Sequence, residues 1–72
     1  MRVLLRDEDQ TLVVIEAEHV NYNEELKELY VESQSFDYIV QNITKTTANS
    51  FIRELFESGR IDLSQYQASF DD

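Results

Sequence analysis

The residues best suited to chemistry in this chain lie near its beginning and have the types that bind calcium. The ligand spacing of an EF-hand calcium loop is met by Asp7, Asp9, Thr11 and, in the twelfth position, Glu18. That loop needs a glycine at its sharp turn, where this chain has Leu12, and it leads into a helix. The residues after Leu12 are instead apolar and β-branched, which is typical of a strand. The sequence therefore predicts a hairpin turn here, with no metal and no other cofactor.

A catalytic site would need partners that the sequence does not supply. His19 is the only histidine, and Glu18 beside it could orient the imidazole for acid–base chemistry. The chain has no cysteine nucleophile and no serine in a Gly-x-Ser-x-Gly turn, and one glycine is too few for a phosphate-binding loop. We therefore expect a protein that is not an enzyme, with His19 as a half-exposed surface residue.

Length and composition predict a single folded domain. The 72 residues are 42% hydrophobic and include four phenylalanines and four tyrosines, which is too apolar for a disordered chain in spite of the net charge of −9. Because there is no cysteine, disulfides cannot add stability, and self-association is one way to supplement so small a core. We expect a single α+β domain over residues 1–66 and a frayed tail over residues 67–72.

The sequence has no feature typical of a membrane or secreted protein. No apolar run approaches the roughly 20 residues that a membrane-spanning helix requires. The first residues also lack the long apolar segment and the cleavage site of a signal peptide. We therefore expect a cytoplasmic protein without membrane contact.

A β-hairpin is predicted at the start of the chain. Two strands, residues 2–6 and 11–18, flank the polar stretch 7–10, whose length is typical of a hairpin loop. Alternation places one set of apolar side chains on a common face: Val3, Leu5, Val13, Ile15 and Ala17. The opposite face is only partly polar, since its members are Leu4, Leu12, Val14, Glu16 and Glu18.

Two further strands are predicted after the hairpin, once its second strand has continued past a bulge near His19. The spacing of Leu26 and Leu29 fits a helix, whereas the run Leu29–Val31 favours a strand. We predict a strand that ends at Glu32. A fourth strand is predicted within residues 36–43, which are rich in β-forming side chains.

A helix over about residues 46–58 is the clearest element. Its apolar stripe consists of Ala48, Phe51, Ile52, Leu55 and Phe56. Thr44 or Thr46 can cap the amino end, and Gly59 stands where a left-handed residue ends a helix. The order ββββα predicts an α+β fold: a four-stranded, mainly antiparallel sheet with one C-terminal helix packed on one face and a short tail. Residues 60–66 could fold back over the sheet or the helix.

The net charge is concentrated in one part of the sequence. Residues 7–37 contain one base, Lys27, and ten acids: Asp7, Glu8, Asp9, Glu16, Glu18, Glu24, Glu25, Glu28, Glu32 and Asp37. Acids and bases balance in the remainder. Such asymmetry disfavours direct nucleic-acid binding and predicts a docking surface for a basic protein partner. The alternative is that these carboxylates only keep a small domain soluble.

Aromatic residues complete the predicted binding surface. Most of them are expected in or beside the core, while Phe36, Tyr66 and Phe70 lie in loops or near the terminus, where exposure marks a contact surface. The candidate partner-binding residues are Asp7, Glu8, Asp9, Glu16, Glu18, Glu24, Glu25, Glu28, Phe36 and Tyr66.

The sequence thus predicts a non-catalytic binding or regulatory module that acts through its acidic hairpin region. One alternative is a structural homodimer that uses an open sheet face or the C-terminal tail. Another is an inhibitor of a basic protein that imitates nucleic acid. Small size and acidity also suggest an accessory protein of the kind found in bacteriophages or mobile elements.

Overall fold

The computed structural model describes residues 1–70, which form six strands and one helix. These are β1 (Arg2–Arg6), β2 (Leu12–Glu16), β3 (His19–Asn23), β4 (Glu28–Glu32), β5 (Asp37–Val40), α1 (Lys45–Ser58) and β6 (Arg60–Phe70). The predicted α+β class, with one helix and a mostly antiparallel sheet, is confirmed. The predicted count of four strands is wrong.

The six strands form one sheet in the order β2-β1-β6-β5-β4-β3. All neighbours are antiparallel except β1 and β6, which run parallel. The two outermost strands, β2 and β3, are consecutive in the chain. Because β2 ends at Glu16 and β3 begins at His19, the Cα atoms of these two residues can lie at most about 11 Å apart. In a flat sheet of six strands the edges would be about 24 Å apart. The sheet must therefore curl, and it encloses the core.

Strand alternation builds that core as the sequence predicts for the first hairpin. Val3 and Leu5 of β1 are fully buried opposite the half-buried Ile15 and Val13 of β2. β3 contributes the half-buried Val20 and Tyr22, whereas β4, β5 and β6 contribute buried side chains. The fully buried or nearly buried members of the other elements are Ala17, Leu29, Val31, Tyr38, Val40, Ile43, Ala48, Leu55, Ile61, Leu63 and Ala68.

Helix α1 begins and ends where the capping residues predict. Thr44 is the N-cap, and its side chain accepts a hydrogen bond of 3.3 Å from the Thr47 backbone N–H. Gly59 adopts a left-handed conformation with φ of 75°, and its N–H donates to the Leu55 carbonyl at 2.9 Å. The helix buries Ala48 and Leu55. Phe56, which was predicted in the same stripe, is instead 88% exposed.

The predicted tail is the largest error. Residues 60–70 form β6, a strand at the centre of the sheet between β1 and β5, so residues 67–70 are not frayed. Asp71 and Asp72 lie outside the described residues. The helix is accordingly not the last element, and chain reversal after it places β6 beside β1.

An irregularity inside β6 explains why its pattern is hard to recognise as a strand. The pairing with β1 shifts between Leu4, opposite Asp62, and Arg6, opposite Gln67. The inward residues consequently change phase, from Ile61 and Leu63 to Ala68. Two side chains hold this segment: Asp62 Oδ1 accepts from Ser64 N at 2.9 Å, and Arg6 Nε donates to the Ser64 carbonyl at 3.3 Å.

The predicted continuation of the second strand past a bulge at His19 is replaced by a change of partner. β2 pairs with β1, but β3 pairs with β4 at the opposite edge of the sheet. The connection is Ala17 and Glu18, whose backbone N–H groups donate to Met1 and Glu32 respectively, at 2.7 Å each. The choice of a strand over a helix for residues 28–32 is confirmed.

Candidate functional site

The outward face of β3, β4 and β5 carries the carboxylates of Glu28, Glu32 and Asp37. Alternation that buries Leu29, Val31 and Tyr38 turns their neighbours outward, and the cross-strand register arranges these in rows. One row contains His19, Glu32 and Asp37, and another contains Asn23 and Glu28. We define the acidic face as these carboxylates with those of the adjoining corner and turn: Glu18, Glu24, Glu25, Glu28, Glu32 and Asp37.

Two members of the acidic face oppose each other directly. Glu32 of β4 and Asp37 of β5 are cross-strand partners, and neither is in an ion pair within residues 1–70. Directly opposed like charges destabilise a sheet. On the other side of Glu32 stands His19, which is exposed on the same face.

The other end of the acidic face is organised by hydrogen bonds. Glu28 accepts from the Tyr30 hydroxyl at 3.0 Å and from the Gln41 side-chain amide at 3.4 Å. In the neighbouring turn, Asn23 Oδ1 accepts from the backbone N–H groups of residues 25 and 26. Glu24 lies 3.8 Å from the Lys45 ammonium, and both groups are largely exposed. An exposed pair of this kind neutralises little of the local charge.

Asp7, Glu8 and Asp9 form a separate acidic turn between β1 and β2. Asp7 Oδ1 accepts from Asp9 N at 2.9 Å and Thr11 N at 3.0 Å, so the Asp7 carboxylate shapes the hairpin. Burial, and to a smaller extent the Asp7 charge, raises the pKa of Tyr38 above its ordinary value. Arg6 also reaches the turn and donates to the Gln10 carbonyl at 2.9 Å.

The basic residues of the sheet lie on a different section of it. Arg2, Arg6 and Arg60 occupy the outward face of β1 and β6, where Arg2 and Arg60 are register partners. Glu16, a predicted partner-binding residue, belongs to this section: Arg2 Nε lies 3.3 Å from its carboxylate and the N-terminus 3.7 Å. Glu16 is thus removed from the acidic face.

The two aromatic candidates occupy different environments. Phe36 is 55% exposed in the turn after β4, 5.6 Å from the Phe70 ring, and Phe70 in turn lies 4.7 Å from Tyr38. Tyr66 is half-buried within β6 and packs edge-on against Phe51 at 6.0 Å. Phe36 is therefore available to a partner at the Asp37 end of the acidic face, whereas Tyr66 supports the helix.

Sequence patterns missed a second exposed surface. Phe56 projects from α1 beside a cleft of about 250 Å³ between the helix and β3, which Met1, His19 and Ile52 also line. Helical periodicity placed Phe56 on the buried stripe, because its spacing from Ile52 fits that stripe. Which residues of the stripe are buried depends on where β6 and β3 contact the helix, and these strands leave Phe56 uncovered.

The structure adds no candidate for catalysis or metal binding in the part of the chain that it describes. Within residues 1–70, no three histidine, aspartate or glutamate side chains are grouped so that they could hold a metal ion. The Asp7 carboxylate is occupied by the hairpin, and Glu18 stands at the other end of β2, at the corner before β3. α1 is not long and apolar enough to cross a membrane.

No protein-family model matches the chain, and no curated protein or solved structure matches it either. What the chain binds is therefore inferred from its own surface chemistry.

Proposed function

We propose that this protein is a non-catalytic interaction module that binds a basic segment of another protein on its acidic face. The observation that carries the proposal is segregation of charge. The outward side of β3 to β5 carries Glu28, Glu32 and Asp37 and no lysine or arginine, while three of the six basic residues of the chain lie on the outward side of β1 and β6. A one-sided negative potential accelerates encounter with a positive partner and orients it.

Local stability supports a binding role over a purely solubilising one. Charges that serve only solubility gain nothing from facing each other, yet Glu32 and Asp37 are register partners. Opposed carboxylates cost stability that a bound cation would restore. The adjacent exposed ring of Phe36 offers an apolar contact beside this pair.

The proposal is tested by capture from the native cell extract with the whole chain immobilised. Wild type is compared with E32Q/D37N, and each capture is made at about 50 mM and about 500 mM salt, since exposed charges interact over about 10 Å or less above 0.1 M. The expected result is a set of basic proteins that wild type retains at low salt and releases at high salt, and that E32Q/D37N does not retain.

E54Q/E57Q is the matched control, because it removes the same charge from exposed positions of α1. If both double variants lose the same proteins, only net charge matters and the acidic face is not a docking surface. Equal retention by E32Q/D37N and wild type would also refute the proposal. A retained protein that DNA displaces would assign the narrower role of imitating a phosphate backbone.

A further inference from the structure

The edge strand β2 has unpaired backbone groups along its free side. Met1 and Ala17 exchange two backbone hydrogen bonds, and Asp7 N donates to the Thr11 carbonyl. Because such pairs alternate in an antiparallel ladder, residues 13 and 15 also direct their N–H and C=O groups toward β1. Those of Leu12, Val14 and Glu16 point away from it. Among residues 1–70, β2 has no other strand as a neighbour.

The free edge of β2 lacks the proline, lysine and bulge that often protect an edge strand. The chain contains no proline, β2 contains no lysine, and its sequence from Leu12 to Glu16 is almost wholly apolar. Side chains of the same residues are unusually exposed: Val14 is 67% exposed and Leu12 51%. At the far end the edge closes, since Glu18 N donates to the Glu32 carbonyl. The open stretch is therefore short and well defined.

We infer that β2 pairs antiparallel with β2 of a second copy of this chain, with Val14 on the twofold axis. In that register Val14 faces Val14 of the second copy, and Leu12 faces its Glu16. The backbone groups of Leu12, Val14 and Glu16 that point away from β1 then face the same groups of the second copy. Each of the three facing pairs makes two backbone hydrogen bonds, which gives six between the copies. Leu4 is the partner of Val14 within each chain, so the apolar row extends across both copies.

Charge selects the second copy and this register. Copies that each carry −9 repel, but the outward face of β2, β1 and β6 combines Arg2, Arg6 and Arg60 with only Glu16 and Asp62. Two copies can therefore approach here with Glu28, Glu32 and Asp37 turned away, while the Asp7–Asp9 turn of each copy lies toward Glu18 of the other. Within its own chain Glu16 is the register partner of Arg2. Across the contact it would face Leu12 of the second copy, whose own register partner is Arg6. A shift that set Glu16 against Glu16 would oppose like charges.

The structure also provides room for the second strand. A groove of about 570 Å³ lies between β2 and the turn after β4, lined by residues 14–18 and 33–36. Leu12 of the second copy would lie in this groove, between Glu16 and Phe36. Because Glu18 and Phe36 line this groove, the proposed contact borders the acidic face and leaves Glu28, Glu32 and Asp37 of each copy outside it.

The inference is tested with the whole chain by sedimentation and by cross-linking. We expect dimers below about 1 mM that persist at high salt, because apolar and backbone contacts are screened little. V14K should weaken association at least about tenfold, since two ammonium groups would face each other at the axis. F56K removes a comparably exposed apolar residue from α1 and should leave association unchanged. Circular dichroism checks that both variants fold.

Cysteine variants test the register, and the chain contains no other cysteine. Facing residues at the axis have Cα atoms about 5.5 Å apart, within the range of a disulfide, so V14C should oxidise rapidly to a covalent dimer. The two Leu12 residues would lie about 14 Å apart, so L12C should not. A single-chain mass at about 1 mM, equal oxidation of V14C and L12C, or dimers lost with F56K but not V14K would each overturn the inference. None of these three results depends on capture by the acidic face.

Discussion

Relief of the Glu32–Asp37 repulsion is the sharpest quantitative prediction of the structure. The two residues are register partners on the outward face, so their Cα atoms lie about 5 Å apart and their carboxylates about 6 Å apart in contact with water. Two unit charges at that distance repel by about 0.7 kcal/mol at the dielectric constant of water. This agrees with the roughly 0.2–1 kcal/mol known for directly opposed pairs. E32Q and D37N should therefore each stabilise the protein by about 0.5 kcal/mol.

A double-mutant cycle separates this repulsion from other effects of the substitutions. Once one carboxylate is neutral, removal of the second should gain little, so E32Q/D37N should be no more stable than the single variants. Urea denaturation measures the free energies of unfolding, and the gain corresponds to a rise in Tm of about 2–4 °C. At about 1 M salt the difference from wild type should nearly vanish.

Two results would refute this reasoning. Additive gains from the single variants would mean that each carboxylate interacts with something other than its partner. A loss of stability in E32Q or D37N would mean that a cation of the chain already compensates the pair. E54Q, which neutralises an exposed carboxylate without a cross-strand partner, is the control and should change stability little.

Three further predictions test local features. Gly59→Ala should cost about 1 kcal/mol in urea denaturation, because the backbone φ of 75° disfavours a Cβ while the space around it is open. Hydrogen bonds from Ser64, and the charge of Arg6, lower the pKa of the Asp62 carboxyl below 3.8. Asp62→Asn should therefore lower the free energy of unfolding at neutral pH. The difference from wild type should disappear as the pH falls below 3.8 and the wild-type carboxyl becomes protonated. Burial raises the pKa of Tyr38 above 10.0, so wild type should lose stability in alkali as the pH rises through that pKa, and Tyr38→Phe should lose less. Tyrosinate absorbance of the folded protein should show a late-titrating group that Tyr38→Phe removes. A variant that follows the wild-type profile in either titration would contradict the assignment.

Sequence alone predicted the elements whose signals are local. The helix was recognised because Thr44 and Gly59 satisfy its end groups within a few residues, and the first hairpin because its strands alternate around a short polar turn. The concentration of acids before residue 38 was likewise visible, and alternation then places Glu28, Glu32 and Asp37 on one side of their strands. These features depend on interactions between near neighbours in the chain.

Tertiary structure decided what depends on distant pairing. β6 was mistaken for a loose tail because its register partner is β1, almost the whole chain away, and because its irregularity changes the phase of the buried positions. The strand order places β2 beside β1 and β3 beside β4, which assigns Glu16 to the arginines and leaves Glu18 with the acidic face. Packing under the helix buries Leu55 and leaves Phe56 exposed, although both have helical spacing. Periodicity identifies a face, but only the partner that covers it determines whether that face is core or surface.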